Sequence, residues 1–384
     1  MISLIICTTG CFNYKELNEY AIATGMAIDL NDDIYEVSFL ISNSPKSSNS
    51  TSGKDYKTVV YSGKGKTIYD CVKKIGIISP KEIYIGHLSI VLISEDVAKK
   101  GINESIDFLL QEPRSKKNFY IALTKDNKAK DVLAITSPLT DFPSQNLSTN
   151  LKTTSDLQGS IVATDFNKLL YTLINIGSDL SLSGFSIENN NKNDKKNSGN
   201  NSNIPYSYVK LTPLGIFKKD KLVAFTSFDE SKGISIINDN INNTYLDIKC
   251  KNGYIVAEAN KLKTNITIKK NKKIFINTTG KVSINEITCD IDLSNQKTLK
   301  KIENKIENKI KQLEKKAIKT SKKYNSDLFG IQLKYYQDYP LQYNNIDWEK
   351  TYKTLKFKLK VNIKLNSTGS IKQTLERINN EKNN

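Results

Sequence analysis

A stretch near the middle of the chain contains no apolar side chain. Residues 188–203 read ENNNKNDKKNSGNNSN. Such a segment cannot offset the entropy lost on ordering by burying apolar surface, so it is predicted to be a flexible linker or loop. It divides the 384-residue chain almost in half. The sequence therefore predicts an N-terminal domain over 11–187 and a C-terminal region over 204–384.

The N-terminal half mixes strand and helix patterns. The predicted strands, rich in β-branched and aromatic residues, are 34–41, 83–93 and 119–123. Apolar spacing, N-caps and terminal glycines predict helices over 67–75, 94–101, 103–111 and 165–176. Cys71 lies on the apolar face of the first helix, which predicts that it packs in a core. The nearly unbroken apolar run 83–93 is typical of a strand covered on both faces.

Short strand patterns dominate the second half. The predicted strands are 222–228, 245–250, 254–259, 265–268, 274–277 and 282–287. Apolar residues at three- and four-residue spacing then predict a long amphipathic helix over 298–322 with a lysine-rich outer face. Residues 357–365 alternate apolar side chains with lysine or asparagine, which predicts a strand with one buried face. The whole is an α+β fold of mixed or antiparallel sheets with packed helices, and a division near residue 290 would give a third domain.

The residue inventory argues against catalysis. The one histidine, His87, falls inside the apolar run, so it is predicted to be buried and structural. Residues 62–67 (SGKGKT) resemble the end of a phosphate-binding loop, but Val60 occupies the position of its first glycine. Gly63 and Gly65 are therefore predicted to be turn residues before a helix. No pair of acids lies on one identifiable face. These patterns predict no enzymatic activity and no cofactor.

Cysteine spacing and net charge limit which kinds of binding protein the chain can be. The five cysteines include no CxxC pair, so no zinc or other metal site is predicted; they are Cys7, Cys11, Cys71, Cys250 and Cys289. Lysine supplies nearly all of the net charge of +17, since arginine occurs only at Arg114 and Arg377. Nucleic-acid readers usually use arginine as well, so this charge fits an anionic membrane surface equally well and no nucleic-acid partner is predicted. No apolar run reaches the roughly 18 residues of a membrane-spanning helix.

The first eleven residues resemble the end of a bacterial lipoprotein signal. Residues 1–10 are mostly apolar or small and end at Gly10, and Thr8 to Cys11 resembles a lipobox. Cleavage after Gly10 would leave Cys11 as the lipid-attachment residue, since its thiolate is the nucleophile that is acylated. Thr8 stands where the lipobox prefers leucine, and no basic region precedes the apolar run, so 1–10 reads as a truncated signal. The alternative is an N-terminal strand with incidental cysteines.

Ordered motifs along the chain resemble the Ger(x)C family, the lipoprotein C subunits of nutrient germinant receptors in spore-forming bacteria. The first motifs are GCFN at 10–13, EL at 16–17 and AIATGMAID at 21–29. Phe12 and Asn13 replace the tryptophan and aspartate of the family pattern. Later motifs follow in family order: Gly86-His87, 102–110 with Arg114, TPLGIFKKDKLV at 212–223, DLFG at 327–330, Pro340, Trp348 and Thr368-Gly369.

The resemblance implies an α+β protein of about three domains without catalytic activity. It implies diacylglycerol and palmitoyl modification of Cys11 and a place on the outer face of the spore inner membrane. There the protein would work beside receptor A and B subunits in a complex that nutrients trigger. Which nutrient acts, and whether this subunit contacts it, do not follow from the sequence.

Two other classes compete with this interpretation. A lipid-anchored solute-binding protein of an importer would also carry a lipobox, but it requires parallel sheets with helical crossovers. A soluble lysine-rich nucleic-acid binder would require the cleavage signal to be accidental.

Overall fold

A computed structural model describes residues 19–42, 58–137, 140, 142–189, 207–289 and 291–367. The described residues form two sheets, one of ten strands and one of four, with helices packed against them. This arrangement confirms the predicted α+β class. The predicted signal segment 1–10, and residues 190–203 of the Asn/Lys-rich segment, lie outside the described residues.

The first sheet is mixed. Its strands are β1 Tyr20–Asn31, β2 Ile34–Ser42, β3 Thr58–Gly65, β4 Glu82–Tyr84, β5 Ile90–Ser94, β6 Tyr120–Thr124, β7 Thr164–Asp165, β8 Ser181–Asn189, β9 Ser207–Lys218 and β10 Lys221–Phe225. The order is β10-β9-β8-β6-β5-β1-β2-β3, with β4 beside β1 and β7 beside β6. The strands β1, β5, β6 and β8 run parallel, and antiparallel pairs flank them on both sides.

Helices cover both faces of this sheet. They are α1 Ile68–Ile78, α2 Glu95–Lys100, α3 Asn103–Gln111, α4 Ala129–Ala134, α5 Pro143–Gln158 and α6 Phe166–Ile174. Alternate residues of β5 belong to different apolar clusters, with Val91 and Ile93 on the side of α1, α2, α3 and α6. Ile90 and Leu92 pack on the side of α4 and α5. The two-sided burial predicted for this strand is confirmed over 90–94.

The Asn/Lys-rich segment connects two strands that are neighbours in this sheet. Glu188 and Asn189, the first two residues of the predicted linker, belong to β8, and β8 pairs with β9 in antiparallel fashion. The first sheet therefore continues past residue 203 to β10. The division of the chain into domains at this segment stays a prediction.

The second sheet has four strands and is covered by one long helix. Its strands are β11 Asn243–Cys250, β12 Gly253–Ile268, β13 Lys273–Ile287 and β14 Lys356–Ser367. The first three pair in antiparallel fashion, while β14 runs parallel to β13 at the edge. The remaining helices are α7 Phe228–Ile237, α8 Gln296–Tyr324, α9 Ile331–Asp338, α10 Pro340–Tyr343 and α11 Trp348–Thr354. The long helix predicted over 298–322 is confirmed as α8, whose apolar stripe packs on the sheet.

Close contact between α7 and α8 depends on one glycine. A Cβ atom at Gly233 would collide with the backbone carbonyl of Leu313 and lie 3.0 Å from Ala317. Backbone atoms cannot move aside as a flexible side chain can, so this contact excludes any side chain at residue 233.

We expect Gly233→Ala to lower the free energy of unfolding by roughly 2 kcal/mol, because overpacking a helix contact costs about 1–3 kcal/mol. Gly76→Ala is the matched control, since a Cβ atom there meets nothing within 4 Å and Gly76 lies in α1. It should raise stability by about 0.5–1 kcal/mol, the helix preference of alanine over glycine. Urea unfolding of both variants measures the difference. Equal effects at the two positions would contradict the close contact.

Candidate functional site

The predicted lipid-attachment residue lies outside the described part of the chain. Residues 1–18 include Cys11, the cleavage point after Gly10, and the GCFN motif. The role of Cys11 therefore stays a prediction. The described chain begins at Glu19 and enters β1, which is an inner strand of the first sheet, one residue later.

The motif at 21–29 forms the middle of the first sheet. Gly25 lies beneath α4 and α5, since a Cβ atom there would sit 2.7 Å from Leu133 and 3.0 Å from Ser144. The buried carboxylate of Asp29 accepts hydrogen bonds from the backbone N–H groups of Ala129 (2.7 Å) and Lys130 (2.9 Å) at the start of α4. Burial raises the pKa of Asp29 above its ordinary value. The glycine and aspartate of this motif thus fix α4 on the sheet.

His87 is not buried, and the prediction for it was wrong. The predicted strand 83–93 is broken, and His87 lies exposed in a turn between β4 and β5. Where the chain rejoins β1 after the break, the Thr24 carbonyl, at a bulge in β1, accepts both the N–H and the hydroxyl of Ser89 at 2.9 Å. The imidazole lies 5.8 Å from the ring of Tyr84. The described residues place His87 on the surface, in contact with a tyrosine.

The two glycines of the phosphate-loop-like stretch serve packing. Gly63 and Gly65 lie in strand β3 rather than in the predicted turn, and they face α1. A Cβ atom at Gly63 would collide with the carbonyl of Cys71, and one at Gly65 with the carboxylate of Asp70. Cys71 itself is buried, as predicted, and its thiol donates to the carbonyl of Tyr35 at 3.3 Å. The spacing of Gly63 and Gly65 therefore reflects the close contact between β3 and α1.

A buried acid joins the two halves of the molecule. Asp327, the first residue of the DLFG motif, is 3% exposed and lies between α8 and α9. Its carboxylate accepts from three backbone N–H groups: Phe329 (3.3 Å), Ile331 (3.0 Å) and Gln332 (2.7 Å). Burial raises the pKa of Asp327 to about 7. The like charge of Asp179 adds to this rise, and the three backbone hydrogen bonds oppose it. The acid fixes the turn from which α9 starts.

Asp179 connects this turn to the first sheet. Its carboxylate accepts from the N–H of Asp327 at 2.7 Å and from the N–H of Lys219 at 2.9 Å, and it forms an ion pair with Lys218 at 3.2 Å. Its own N–H donates to the carbonyl of Asp327 at 2.9 Å. Ser326 donates to the carbonyl of Phe217 in β9 at 2.6 Å. We call these contacts the Asp179–Asp327 junction.

A cleft of about 420 Å³ opens beside the Asp179–Asp327 junction. Gly177, Gln332 and Trp348 line it together with Asp179 and Lys218. The indole N–H of Trp348, which is 8% exposed, has no partner in the described part of the chain. Sequence reasoning found no paired acids because the two partners are 148 residues apart. Their backbone hydrogen bonds make the junction a structural clamp next to an open cleft.

Three more results bear on function. Within the described residues, no group of three or more His, Cys, Asp or Glu side chains is arranged to hold a metal ion. The same residues include no helix that is long and apolar enough to cross a membrane. Cys250, at the end of β11, and Cys289, just after β13, form a disulfide.

Comparisons with known families cover nearly the whole chain. Residues 13–187 match the family described as "Spore germination protein N-terminal domain". Residues 212–369 match the family described as "Spore germination B3/GerAC like, C-terminal". The gap between the two matches includes the Asn/Lys-rich segment.

Individual relatives agree with these matches. The chain is 24% identical to spore germination protein KC of Bacillus subtilis over 371 residues, which are 92% of this chain and 90% of the relative. It is 24% identical to spore germination protein GerQC of Bacillus cereus, covering 83% of this chain and 84% of that protein. The crystal structure of the GerBC protein superposes with a TM-score of 0.53 at 19% identity, covering 89% of this chain and 97% of the other. The last likeness supports the fold.

Proposed function

Since the chain belongs to the family of GerAC-like spore germination proteins, we propose that it is the lipid-anchored C subunit of a nutrient germinant receptor. The observation that carries the proposal is the extent of the match, because both family regions occur in order over residues 13–187 and 212–369. The subunit would assemble with receptor A and B subunits at the outer face of the spore inner membrane. Nutrients would trigger that complex.

The anchor in this proposal is Cys11, with cleavage after Gly10. Eight residues lie between Cys11 and Tyr20, where β1 begins, so nine Cα–Cα steps join the two. A chain of that length spans at most about 32 Å, so the first sheet would remain close to the membrane surface. Two or three acyl chains, at about 0.8 kcal/mol per buried methylene, would hold the protein there where one chain would not.

The disulfide supports a location outside the cytoplasm. Disulfides persist in oxidising compartments and are rare where thioredoxin and glutathione keep thiols reduced. Cys250 and Cys289 are such a pair, and both are buried against the apolar cluster beneath α8. This fits a subunit that folds after export through the membrane.

We propose that the subunit acts through assembly and has no enzymatic activity. The buried acids of the Asp179–Asp327 junction have their oxygens bonded to backbone N–H groups, which suits them to structure rather than to proton transfer. The importer alternative requires parallel sheets with helical crossovers in both lobes. The first sheet has parallel inner strands, but β11, β12 and β13 form an antiparallel meander with no helix between them. The two family matches also favour germination over import.

Cys11→Ala tests the anchor directly. We expect the variant to fold, to leave the membrane fraction and to impair nutrient-triggered germination, because losing the anchor lowers its local concentration near membrane partners. Cys7→Ala is the matched control, since it removes a cysteine from the same segment but leaves the cleavage point intact. Mass spectrometry of the native N-terminus should find acylated Cys11. A soluble variant that still supports normal germination would refute the anchoring role.

Exposed His87 provides a test of assembly against chemistry. His87→Gln should leave germination unchanged, because the imidazole lies exposed on the surface beside the ring of Tyr84. Folded protein is measured in the same spores. If His87→Gln spores contain normal amounts of protein and fail to respond, His87 marks a site and the proposal of assembly alone is wrong.

A further inference from the structure

The second sheet has an unpaired edge. Strand β14 pairs with β13 on one side, and no described strand lies on the other side. On that outer edge, Glu307 accepts from the N–H of Ile363 at 3.1 Å and Glu303 from the N–H of Leu365 at 3.0 Å. Both carboxylates come from α8, so this end of the edge is covered by the protein's own side chains.

Nearer the N-terminal end of β14, the described residues leave the same edge open. Backbone groups of alternate residues point to the same side of a strand, so Leu359 and Val361 present their N–H and C=O groups outward like Ile363. Within the described chain, no side chain bonds to these groups of Leu359 or Val361. An unpaired edge of this kind is a template for another strand.

A groove of about 670 Å³ lies between this open edge and α8. Its floor is apolar and consists of Ile318, Leu355, Phe357 and Leu359. Its rim is basic and consists of Lys311, Lys315, Lys319 and Lys322. Lys322 donates to the carbonyl of Leu355 at 3.1 Å. The other three lysines have no ion-pair partner among the residues that the structure describes.

The opposite face of the strand is also basic. Lys356, Lys358 and Lys360 are exposed on the side of β14 away from α8. A strand added to this edge would therefore meet positive charge on both of its faces. Opposite charges paired across neighbouring strands stabilise a sheet, and like charges destabilise it.

This charge excludes two occupants of the edge. A second copy of the chain would bring lysine against lysine. The chain's own residues 368–384 carry Lys372, Arg377 and Lys382 against Glu376 and Glu381, so they are not acidic. An anionic membrane surface could neutralise lysines, but it would not bond to the open N–H groups or fill the groove.

We propose that the open edge of β14 binds an extended acidic segment of another protein, which adds to the second sheet as a fifth strand. Backbone hydrogen bonds would supply affinity, as in other cases of β-strand addition, and pockets for alternate side chains would supply selectivity. Apolar side chains of the segment would enter the groove, and carboxylates would meet the lysines. This inference stands independently of the lipid anchor and of the receptor assembly proposed above.

The first test uses the purified full chain and a synthetic peptide that repeats two valines followed by two glutamates, so that each face of the added strand carries both valine and glutamate. We expect the peptide to bind, and a lysine–valine peptide of the same length not to bind. The combined change Lys311→Glu, Lys315→Glu and Lys319→Glu should weaken binding at least about tenfold, because it reverses the charge along the groove. The matched control is Lys297→Glu, Lys301→Glu and Lys305→Glu, with the same spacing on the same helix, and it should change binding less than about twofold.

The second test leaves the protein unchanged. Two versions of the acidic peptide carry N-methyl groups on one or the other set of alternate residues. Only the set that faces β14 should abolish binding, because only those N–H groups join the sheet. Equal effects of both peptides, or of both lysine triples, would overturn the proposal in favour of non-specific charge attraction. Binding to phosphatidylglycerol vesicles without peptide binding would overturn it in favour of a membrane surface, and a dimer broken by the groove triple would do so in favour of a second copy.

Discussion

Asp327→Ala is expected to lower the free energy of unfolding by roughly 3 kcal/mol at pH 4, where the buried carboxyl is protonated and its raised pKa costs little stability, because the change leaves buried N–H groups without an acceptor. Three backbone N–H groups lose their acceptor, namely those of Phe329, Ile331 and Gln332. The lost side chain also supports the turn between α8 and α9, through which the second half contacts the first. Urea unfolding at constant m value measures the loss.

Asp165→Ala is the control for this prediction. Asp165 caps α6 from a half-buried position and accepts from one N–H, that of Lys168, at 2.8 Å. Losing a single N-cap costs about 1 kcal/mol. If the two substitutions were equally harmful, Asp327 would be an ordinary cap and the Asp179–Asp327 junction would not hold the halves together.

Local signals in the sequence were sufficient for several helices. Ser94 and Asp165 cap α2 and α6, the helices predicted over 94–101 and 165–176, and they could be recognised because a cap and its helix lie within a few residues. Helix α7 was missed inside a region predicted as strands only, although Ser227 and Glu230 form a capping box at its start. Its apolar residues lack a clear helical period because it is buried on several sides.

Long-range contacts explain what the sequence could not predict. The six short strands predicted after the linker include four that the structure joins into β12 and β13, because polar residues can continue a strand where a bulge or an exposed face accommodates them. His87 lies in a turn whose far end, at Ser89, is bonded to Thr24 on another strand, and no local pattern in the sequence indicates that contact. Asp179 and Asp327 meet only in the folded molecule.

The pH dependence of stability should reflect a second buried acid, Glu314 on α8. Burial raises its pKa from 4.5 to about 7, and a hydrogen bond from Thr278 at 2.6 Å and the charge of Lys311 only partly oppose this. The other carboxylate oxygen of Glu314 has no partner within the described residues. Because the folded protein binds this proton more tightly than the unfolded chain, the cost of ionised Glu314 is absent below about pH 4.5 and fully present above about pH 7.

Through the ionisation of Glu314, the wild type should lose roughly 2 kcal/mol of unfolding free energy between pH 5 and pH 8, at 1.36 kcal/mol per pKa unit. Glu314→Gln should remove this loss. The variant should be more stable than the wild type at pH 8 and nearly equal to it at pH 5. Glu303→Gln, on the same helix, should act with the opposite sign. Although burial raises the pKa of Glu303, Lys300 and the N–H of Leu365 lower it below its ordinary value, so its stabilisation is present at pH 8 and lost in acid. If urea unfolding at the two pH values gave both variants the same sign, Glu314 would not be the buried acid that the structure places between α8 and the second sheet.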